Sequence, residues 1–354
     1  MQRAIELAEK GRGRTNPNPL VGALIVNNGV IIGEGHHTKA GESHAEINAL
    51  KSTKSTLDNA TLYVTLEPCC TYGKTPPCTK AIISSGIKKV VVGLIDPNPK
   101  VSGKGIYELK KAQIKIETGI FKKEIAKQNE IYIKYITTKM PFVLMKSAIS
   151  FDGKTTSKNG QPVWITNEES KKISHKLRNE YDAIMVGINT IIADDPMLTT
   201  RLEEGDIKNP LRIIVDSNAK IPLSTKVVKT AKEIPTLLAT TKNAPTKKIE
   251  ILKERGVQIL KLPEKEEKVN LKYLFKELGE KGIVSIILEG GPHLNSSALK
   301  GGLVDKMIFF IAPKIIGGNK SLNFITNPNI SFNFKFDEFK RIGKDLLVEA
   351  YPKN

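Results

Sequence analysis

At 354 residues the chain is long enough for two domains, each burying its own core, and its 40% hydrophobic content excludes a disordered polymer. A formal charge of +18 would suit a nucleic-acid partner, yet the lysines are dispersed and interleaved with glutamate, as over Lys261 to Lys268, so a solvated surface and no nucleic-acid partner are expected. No apolar run approaches the roughly eighteen residues of a membrane span, Met1 to Lys10 reads as an amphipathic helix rather than a signal peptide, and three clustered cysteines suit a reducing compartment, which together predict a cytoplasmic protein.

In chain order, Leu20 to Val26 and Val30 to Gly33 form a predicted hairpin around Asn27-Asn28-Gly29, whose Asn-Gly pair supplies the positive φ angles of a tight turn. Ser43 to Leu50 is a predicted helix, Thr61 to Leu66 an alternating strand, Thr79 to Ser85 a helix and Lys89 to Leu94 a buried strand. A charged helical stretch, Lys122 to Lys134, leads to Lys139-Met140-Pro141, the predicted join between a domain over 1–139 and one over 140–354. Beyond it, strands are predicted at Phe142 to Ala148, Ala183 to Gly187, Leu211 to Val215, Thr236 to Ala239, Gln258 to Leu262, Ile283 to Leu288 and Lys306 to Ile311. Helices at Asn167 to Tyr181 and Leu271 to Gly279 lie between them. Apolar runs alternating with helices imply a mostly parallel sheet covered on both faces.

All three cysteines fall within ten residues, in Pro68-Cys69-Cys70 and Pro77-Cys78, and His44-Ala45-Glu46 stands upstream. Zinc deaminases carry H-x-E followed by P-C-x-x-C, in which the glutamate moves protons and does not bind metal. Here eight residues separate Cys69 from Cys78. We take His44, Cys69 and Cys78 as ligands, because adjacent thiolates fit poorly on one tetrahedron and each of Pro68-Cys69 and Pro77-Cys78 resembles the start of a helical turn; Cys70 is the ambiguous member. Three protein ligands leave the fourth position to water, as a catalytic zinc requires, and Glu46 is the candidate proton carrier. The competing reading is a buried cysteine cluster beside a surface histidine. Further on, Leu288-Glu289-Gly290-Gly291-Pro292 reads as strand, glycine pair and helix start. It suits either a phosphate at the helix N-terminus or a plain turn, since no G-x-G-x-x-G accompanies it. His36, His37, His175 and His293 read as hydrogen-bonded surface residues, Asp194-Asp195-Pro196 as a turn, and Trp164 as core.

Together these segments resemble the bifunctional deaminase/reductase family of riboflavin biosynthesis, over nearly the whole chain. The first half carries Asn16-Pro17-Asn18-Pro19-Leu20-Val21-Gly22, His44-Ala45-Glu46, Thr65-Leu66-Glu67-Pro68-Cys69, Gly73-Lys74-Thr75-Pro76-Pro77-Cys78 and Asp96-Pro97-Asn98-Pro99. The second carries Ser150-Phe151-Asp152-Gly153-Lys154, Trp164-Ile165-Thr166, Ala193-Asp194-Asp195-Pro196, Val215-Asp216-Ser217, Glu289-Gly290-Gly291-Pro292 and Ile311-Ala312-Pro313-Lys314. The chain departs from the family in having Cys70 where a small polar residue is usual and Gln161-Pro162-Val163 where a serine is common. It also opens abruptly on its first helix, as if a short leading segment were lacking.

The resemblance implies an α/β protein of two domains, a cytidine-deaminase-like three-layer α/β/α unit and a dihydrofolate-reductase-like α/β unit. It implies one zinc ion per chain, NADPH as cofactor and phosphorylated pyrimidine substrates; a homo-oligomer is expected as the default for such enzymes. It places Ile149, Trp164, Thr166, Thr190, Asp194, Ser217 and the run Gly291, Pro292, His293, Leu294, Asn295, Ser296 and Ser297 around the cofactor. It places Asn18, Lys74, Lys146, Pro162, Arg178, Leu198, Arg201 and Glu289 at substrate. A tRNA or free-base deaminase would share the zinc residues, but the appended half and the dispersed charge count against it.

Overall fold

The computed structural model describes residues 1–73, 75–157, 159–161, 163–326 and 331–353, and the chain divides into two units, Met1–Lys139 and Met140–Asn354. The first runs α1 (Gln2–Glu9), β1 (Gly22–Asn27), β2 (Val30–His36), α2 (Ala45–Ser52), β3 (Thr61–Leu66), α3 (Cys78–Ser84), β4 (Lys89–Leu94), α4 (Lys104–Lys111), β5 (Lys115–Thr118), α5 (Lys122–Gln128) and α6 (Glu130–Thr138). Its five strands lie in the order β2-β1-β3-β4-β5, with β1 antiparallel to both neighbours and β3, β4 and β5 parallel.

Period-two alternation explains the layering. Ala23 and Ile25 of β1 pack with Ala45 and Ala49 of α2, Ile82 of α3 and Leu109 of α4, whereas Leu24 packs with Ala4 and Leu7 of α1. The β1–β2 turn has the backbone its Asn-Gly pair favours, with φ of 49° at Asn28 and 81° at Gly29. Helix α2 lies so close to β2 that a Cβ at Gly35 would sit 2.4 Å from the Ala45 carbonyl oxygen. Only glycine permits that approach, and it brings the start of α2 over the sheet. The stretch expected as one helix over 122–134 is two, broken at Asn129. There the side-chain carbonyl accepts the Leu20 N–H at 2.8 Å and the amide donates to the Leu20 carbonyl at 3.1 Å.

The second unit comprises β6 (Phe142–Ser150), α7 (Glu168–Glu180), β7 (Ala183–Gly187), α8 (Ile188–Asp194), β8 (Leu211–Val215), α9 (Lys226–Lys229), β9 (Thr236–Thr240), α10 (Thr246–Glu254), β10 (Gln258–Lys261), β11 (Glu264–Lys265), β12 (Lys268–Val269), α11 (Leu271–Glu280), β13 (Ser285–Leu288), α12 (Pro292–Lys300), β14 (Lys306–Ala312), β15 (Phe334–Ile342) and β16 (Asp345–Pro352). Its main sheet is ordered β10-β9-β8-β7-β13-β6-β14-β16-β15. It is parallel from β10 to β14 and antiparallel where β16 and β15 join. Ala183 and Met185 of β7 face α11 and α12, while Ile184 and Val186 face α8, α9 and α10, so the strand is buried on both sides as a parallel strand must be. Among the described residues, no helix is long and apolar enough to cross a membrane.

Asn129 is a buried amide whose partners are backbone groups far away in sequence. Replacing it with leucine is expected to orphan the Leu20 N–H and C=O and to destabilise the first unit by about 2–4 kcal/mol. Hydrogen exchange of the β1 and β3 amides measures the loss.

Candidate functional site

His44 is the N-cap of α2, in extended backbone with φ −72° and ψ 164°, and its side chain makes no capping bond. Cys69 lies in the loop that leaves β3, not at a helix start as the Pro68-Cys69 pair had suggested. Cys78 is the first residue of α3. The loop is fastened to α3 on both sides of Cys69, whose Sγ accepts the Cys78 N–H at 3.4 Å and whose carbonyl accepts the Thr79 N–H at 3.2 Å. Beneath it the buried Glu67 carboxylate accepts three backbone N–H groups, from Asp96, Gly103 and Ile106, at 2.9 to 3.2 Å.

These anchors bring His44 Nδ1 to 3.5 Å from Cys69 Sγ and 3.3 Å from Cys78 Sγ. A tetrahedral zinc with ordinary bond lengths sets N–S separations near ~3.6 Å, so the donor set fits the ion. The Cys69 thiol is pulled down to about 4, first by the hydrogen bond from Cys78 and further by His44, while Cys78 is pushed up, by Cys69 above all. Cys69 is thus favoured as the thiolate, and a divalent cation at the site would favour loss of the proton from both sulfurs. Glu46 is 3% exposed, and burial, reinforced by Cys69, pushes its carboxyl up to about 7. Cys70 is half-buried and outside the triad of donors.

His37, expected at the surface, is instead 2% exposed. Its ring lies edge-on to His44 with centroids 5.3 Å apart, one nitrogen 3.1 Å from Asn18 Nδ2 and the other 3.2 Å from the Ser43 carbonyl. The signal for it was present: Gly33, Gly35 and His37 alternate on the buried side of β2 and its extension. Asn18 is thereby brought beside the metal donors, whereas Lys74 lies outside the described residues.

In the second unit a cleft of about 840 Å³ opens over the carboxyl ends of β6, β7, β8 and β13, the usual place for a ligand in a doubly wound sheet. Thr190, Asp194, Ser217, the run Gly291 to Asn295, and Ser297 line it, as do Lys146 and Glu289. At Gly290 the φ is 86° and a Cβ would meet the Asn295 amide at 3.2 Å, so the glycine pair brings backbone to the start of α12. Two distant segments border the cleft together. The Thr155 N–H donates to the Leu322 carbonyl at 2.8 Å, the Leu322 N–H to Thr156 Oγ1 at 2.8 Å, and Asn295 Nδ2 to the Phe324 carbonyl at 2.9 Å.

Other expected residues lie elsewhere. Leu198 is buried in the apolar cluster around α8 to α10 and does not face the cleft, because its left-handed backbone (φ 55°) turns it into the core. Ile149 is buried within β6 opposite Ile311, and Ser296 is buried behind the lining, accepting the N–H of the lining residue Thr326 at 2.9 Å. Thr166 is half-buried beside the N-cap of α7 and does not line the cleft. Trp164 is not core: it is 71% exposed, with the Lys171 ammonium 4.4 Å from its ring centre. Pro162 lies outside the described residues.

Arg178 and Glu289 bind each other. Two guanidinium nitrogens donate to the carboxylate at 2.8 and 2.6 Å and a third to the Thr199 carbonyl at 3.2 Å, so one face of the fork is engaged by Glu289. Lys146 lies 3.9 Å from the same carboxylate, and burial lowers its ammonium while Glu289 opposes the shift. Against the cost of burial, Arg178 and then Lys146 hold Glu289 down to about 2. His175, also expected at the surface, is buried and accepts the Arg201 N–H at 3.3 Å. Burial first, then Arg178 and Arg201, lower it to about 4. Its helical spacing from Arg178, three residues, was the sequence clue. Arg201 itself is exposed.

A three-donor metal centre in one unit and a nucleotide-sized cleft over a doubly wound sheet in the other define a bifunctional enzyme, a deaminase joined to a reductase. Residues 1–94 match the family model of the cytidine and deoxycytidylate deaminase zinc-binding region, and residues 141–348 that of the RibD C-terminal domain. The chain is 44% identical to the riboflavin biosynthesis protein RibD of Actinobacillus pleuropneumoniae, over 99% of this chain and 93% of that one. It is 45% identical to the RibD of Aquifex aeolicus, over 98% and 96%. Among solved structures, Acinetobacter baumannii RibD superposes with a TM-score of 0.88 at 35% identity, covering 100% and 98%. The diaminohydroxyphosphoribosylaminopyrimidine deaminase/5-amino-6-(5-phosphoribosylamino)uracil reductase of Thermotoga maritima superposes at 0.85 and 36%, covering 100% and 97%. The chain therefore belongs to the RibD family, the bifunctional deaminase/reductases of riboflavin biosynthesis. Its two units have the cytidine-deaminase-like and dihydrofolate-reductase-like folds that the resemblance implied, and the matched zinc-binding region agrees with the His/Cys/Cys donors.

The charge cluster makes the second unit acid-labile. His175 falls from its ordinary 6.5 to about 4 and Glu289 from 4.5 to about 2, so each binds fewer protons folded than unfolded. Their contributions are complete above those ordinary values and are lost as pH falls, His175 first and Glu289 below it. Hydrogen exchange of the β7 and β13 amides should show protection declining over both windows, and His175→Gln should flatten only the upper one.

Proposed function

We propose that residues 1–139 hydrolytically deaminate 2,5-diamino-6-(5-phosphoribosylamino)pyrimidin-4(3H)-one, and that residues 140–354 then reduce the ribosyl side chain of 5-amino-6-(5-phosphoribosylamino)uracil to ribityl with NADPH. The observation that carries the first step is the buried Glu46 carboxyl two residues from a His/Cys/Cys donor set of zinc-binding dimensions. The substrates are supported by the likeness to the Thermotoga maritima diaminohydroxyphosphoribosylaminopyrimidine deaminase/5-amino-6-(5-phosphoribosylamino)uracil reductase.

In the deaminase unit His44, Cys69 and Cys78 hold zinc, which supplies the Lewis acidity that makes a water nucleophilic near neutral pH. Glu46 accepts a proton from the attacking water and passes it to the ring nitrogen next to the attacked carbon; it then takes the remaining hydroxyl proton of the tetrahedral carbon and delivers it to the amine, so the C–N bond breaks as C=O forms, water is consumed and ammonia leaves. Asn18, its amide held toward His37, presents its carbonyl oxygen to the pyrimidine. Lys74 supplies charge for the substrate phosphate.

In the reductase unit, bound NADPH would supply the hydride that reduces C1′ of the opened ribosyl group. The backbone N–H groups at the start of α12 bind the cofactor's phosphates, with Thr190, Asp194 and Ser217 lining its path. Lys146 holds the proton taken up by the ribose ring oxygen as the ring opens, and Glu289 fixes the ammonium in place. Arg178 orients Glu289, which leaves the exposed Arg201 to attract substrate phosphate. A cytoplasmic homo-oligomer is the setting this reading expects.

Incubation of the purified protein with the phosphorylated diamino-pyrimidinone, with and without NADPH, followed by mass spectrometry, tests both steps. Glu46→Gln should retain zinc and lose deamination by roughly 10²- to 10⁴-fold, while NADPH-dependent reduction of the deaminated product continues. Deamination at the parent rate by that variant would remove Glu46 from its role; formation of the ribityl product without NADPH would remove the cofactor from its own.

A further inference from the structure

We propose that Thr75 is a positioning residue for the metal centre: its hydroxyl accepts the Nε2 proton of His44 and so fixes the imidazole tautomer whose Nδ1 lone pair faces the two sulfurs. The inference rests on the zinc-deaminase reading of the first unit.

The His44 ring is directed at both edges. Nδ1 lies 3.3 and 3.5 Å from the thiol sulfurs, and Nε2 lies 3.4 Å from Thr75 Oγ1. A neutral imidazole carries one proton, so a cation held at Nδ1 requires that proton on Nε2, and the proton then needs an acceptor. His37 is the other ring beside His44, and both its nitrogens already lie within hydrogen-bond distance of Asn18 and Ser43. Thr75 meets the need. It stands three residues before Cys78, in the loop whose Gly73 N–H donates to the Thr75 carbonyl at 3.2 Å, and that turn presents its side chain to His44.

The long interval between the cysteines gains a purpose from this contact. Eight residues separate Cys69 from Cys78, and the segment they form reaches back to the outer edge of the imidazole. A two-residue interval would bring both sulfurs to the ion but could not carry a hydroxyl to the far side of the histidine. Partners of this kind typically change metal affinity by about 10- to 100-fold.

The test is zinc affinity of the full-length protein, measured by competition with a chromophoric chelator, for the parent, Thr75→Val and Thr75→Ser. Valine keeps the shape and removes the acceptor, so zinc should bind about 10- to 100-fold more weakly; serine restores the acceptor and should return affinity toward that of the parent. Hydrogen exchange of the β1 and β3 amides in the same preparations serves as the folding control for the first unit. Parent-like zinc affinity in Thr75→Val would overturn the proposal, as would equal weakening in both variants, which would assign the effect to loop packing. A parent chain that binds no zinc would instead overturn the reading on which the proposal rests.

Discussion

The separation of 3.3 to 3.5 Å between one imidazole nitrogen and two sulfurs is the constraint on which the first unit depends. No single element could impose it. His44 is set by the start of α2, Cys69 by the end of β3 and Cys78 by the start of α3, so the distance exists only when two helices and the sheet are packed in register. The close approach of α2 to β2 at Gly35, and the three N–H groups gathered by Glu67, are the means. Metal affinity and folding are therefore linked, because the donors are scattered in the unfolded chain.

The second unit solves a different problem, that of keeping charges out of water without leaving any of them alone. Arg178, Glu289 and Lys146 form a largely buried group with one surplus positive charge, and burial first, then Arg178 and Arg201, keep His175 beside it neutral. A surplus cation next to a cleft attracts an anionic ligand. Two nitrogens of the arginine fork already donate to the Glu289 carboxylate. Paired burial of this sort costs desolvation and serves geometry more than stability.

Much of the architecture was legible from pattern. Ala183–Gly187 and Leu211–Val215 begin and end where their apolar runs do, since strands buried on both faces leave no ambiguity. Phe334–Ile342 escaped because it is an edge strand whose residues are mostly in solvent, with Phe336 and Phe339 exposed. The split at Asn129 escaped because its cause is a bond to Leu20, 109 residues away. Among site residues, the metal donors stood out by residue type and spacing. His37 and His175 did not, since burial decides what a histidine does and a lone histidine carries little pattern. Leu198 and Arg178 carry features no residue pattern announces: a left-handed backbone at one and a bidentate bond to Glu289 at the other.

The pairing of Thr155 with Leu322 across 167 positions has a consequence for how the enzyme is born. All three metal donors lie within the first 78 residues and the strands around them are complete by Thr118, so that centre can assemble while the ribosome is still reading the remainder. The border of the nucleotide cleft cannot close until Thr326 has emerged. Synthesis thus completes the surroundings of the metal donors before the border of the cleft.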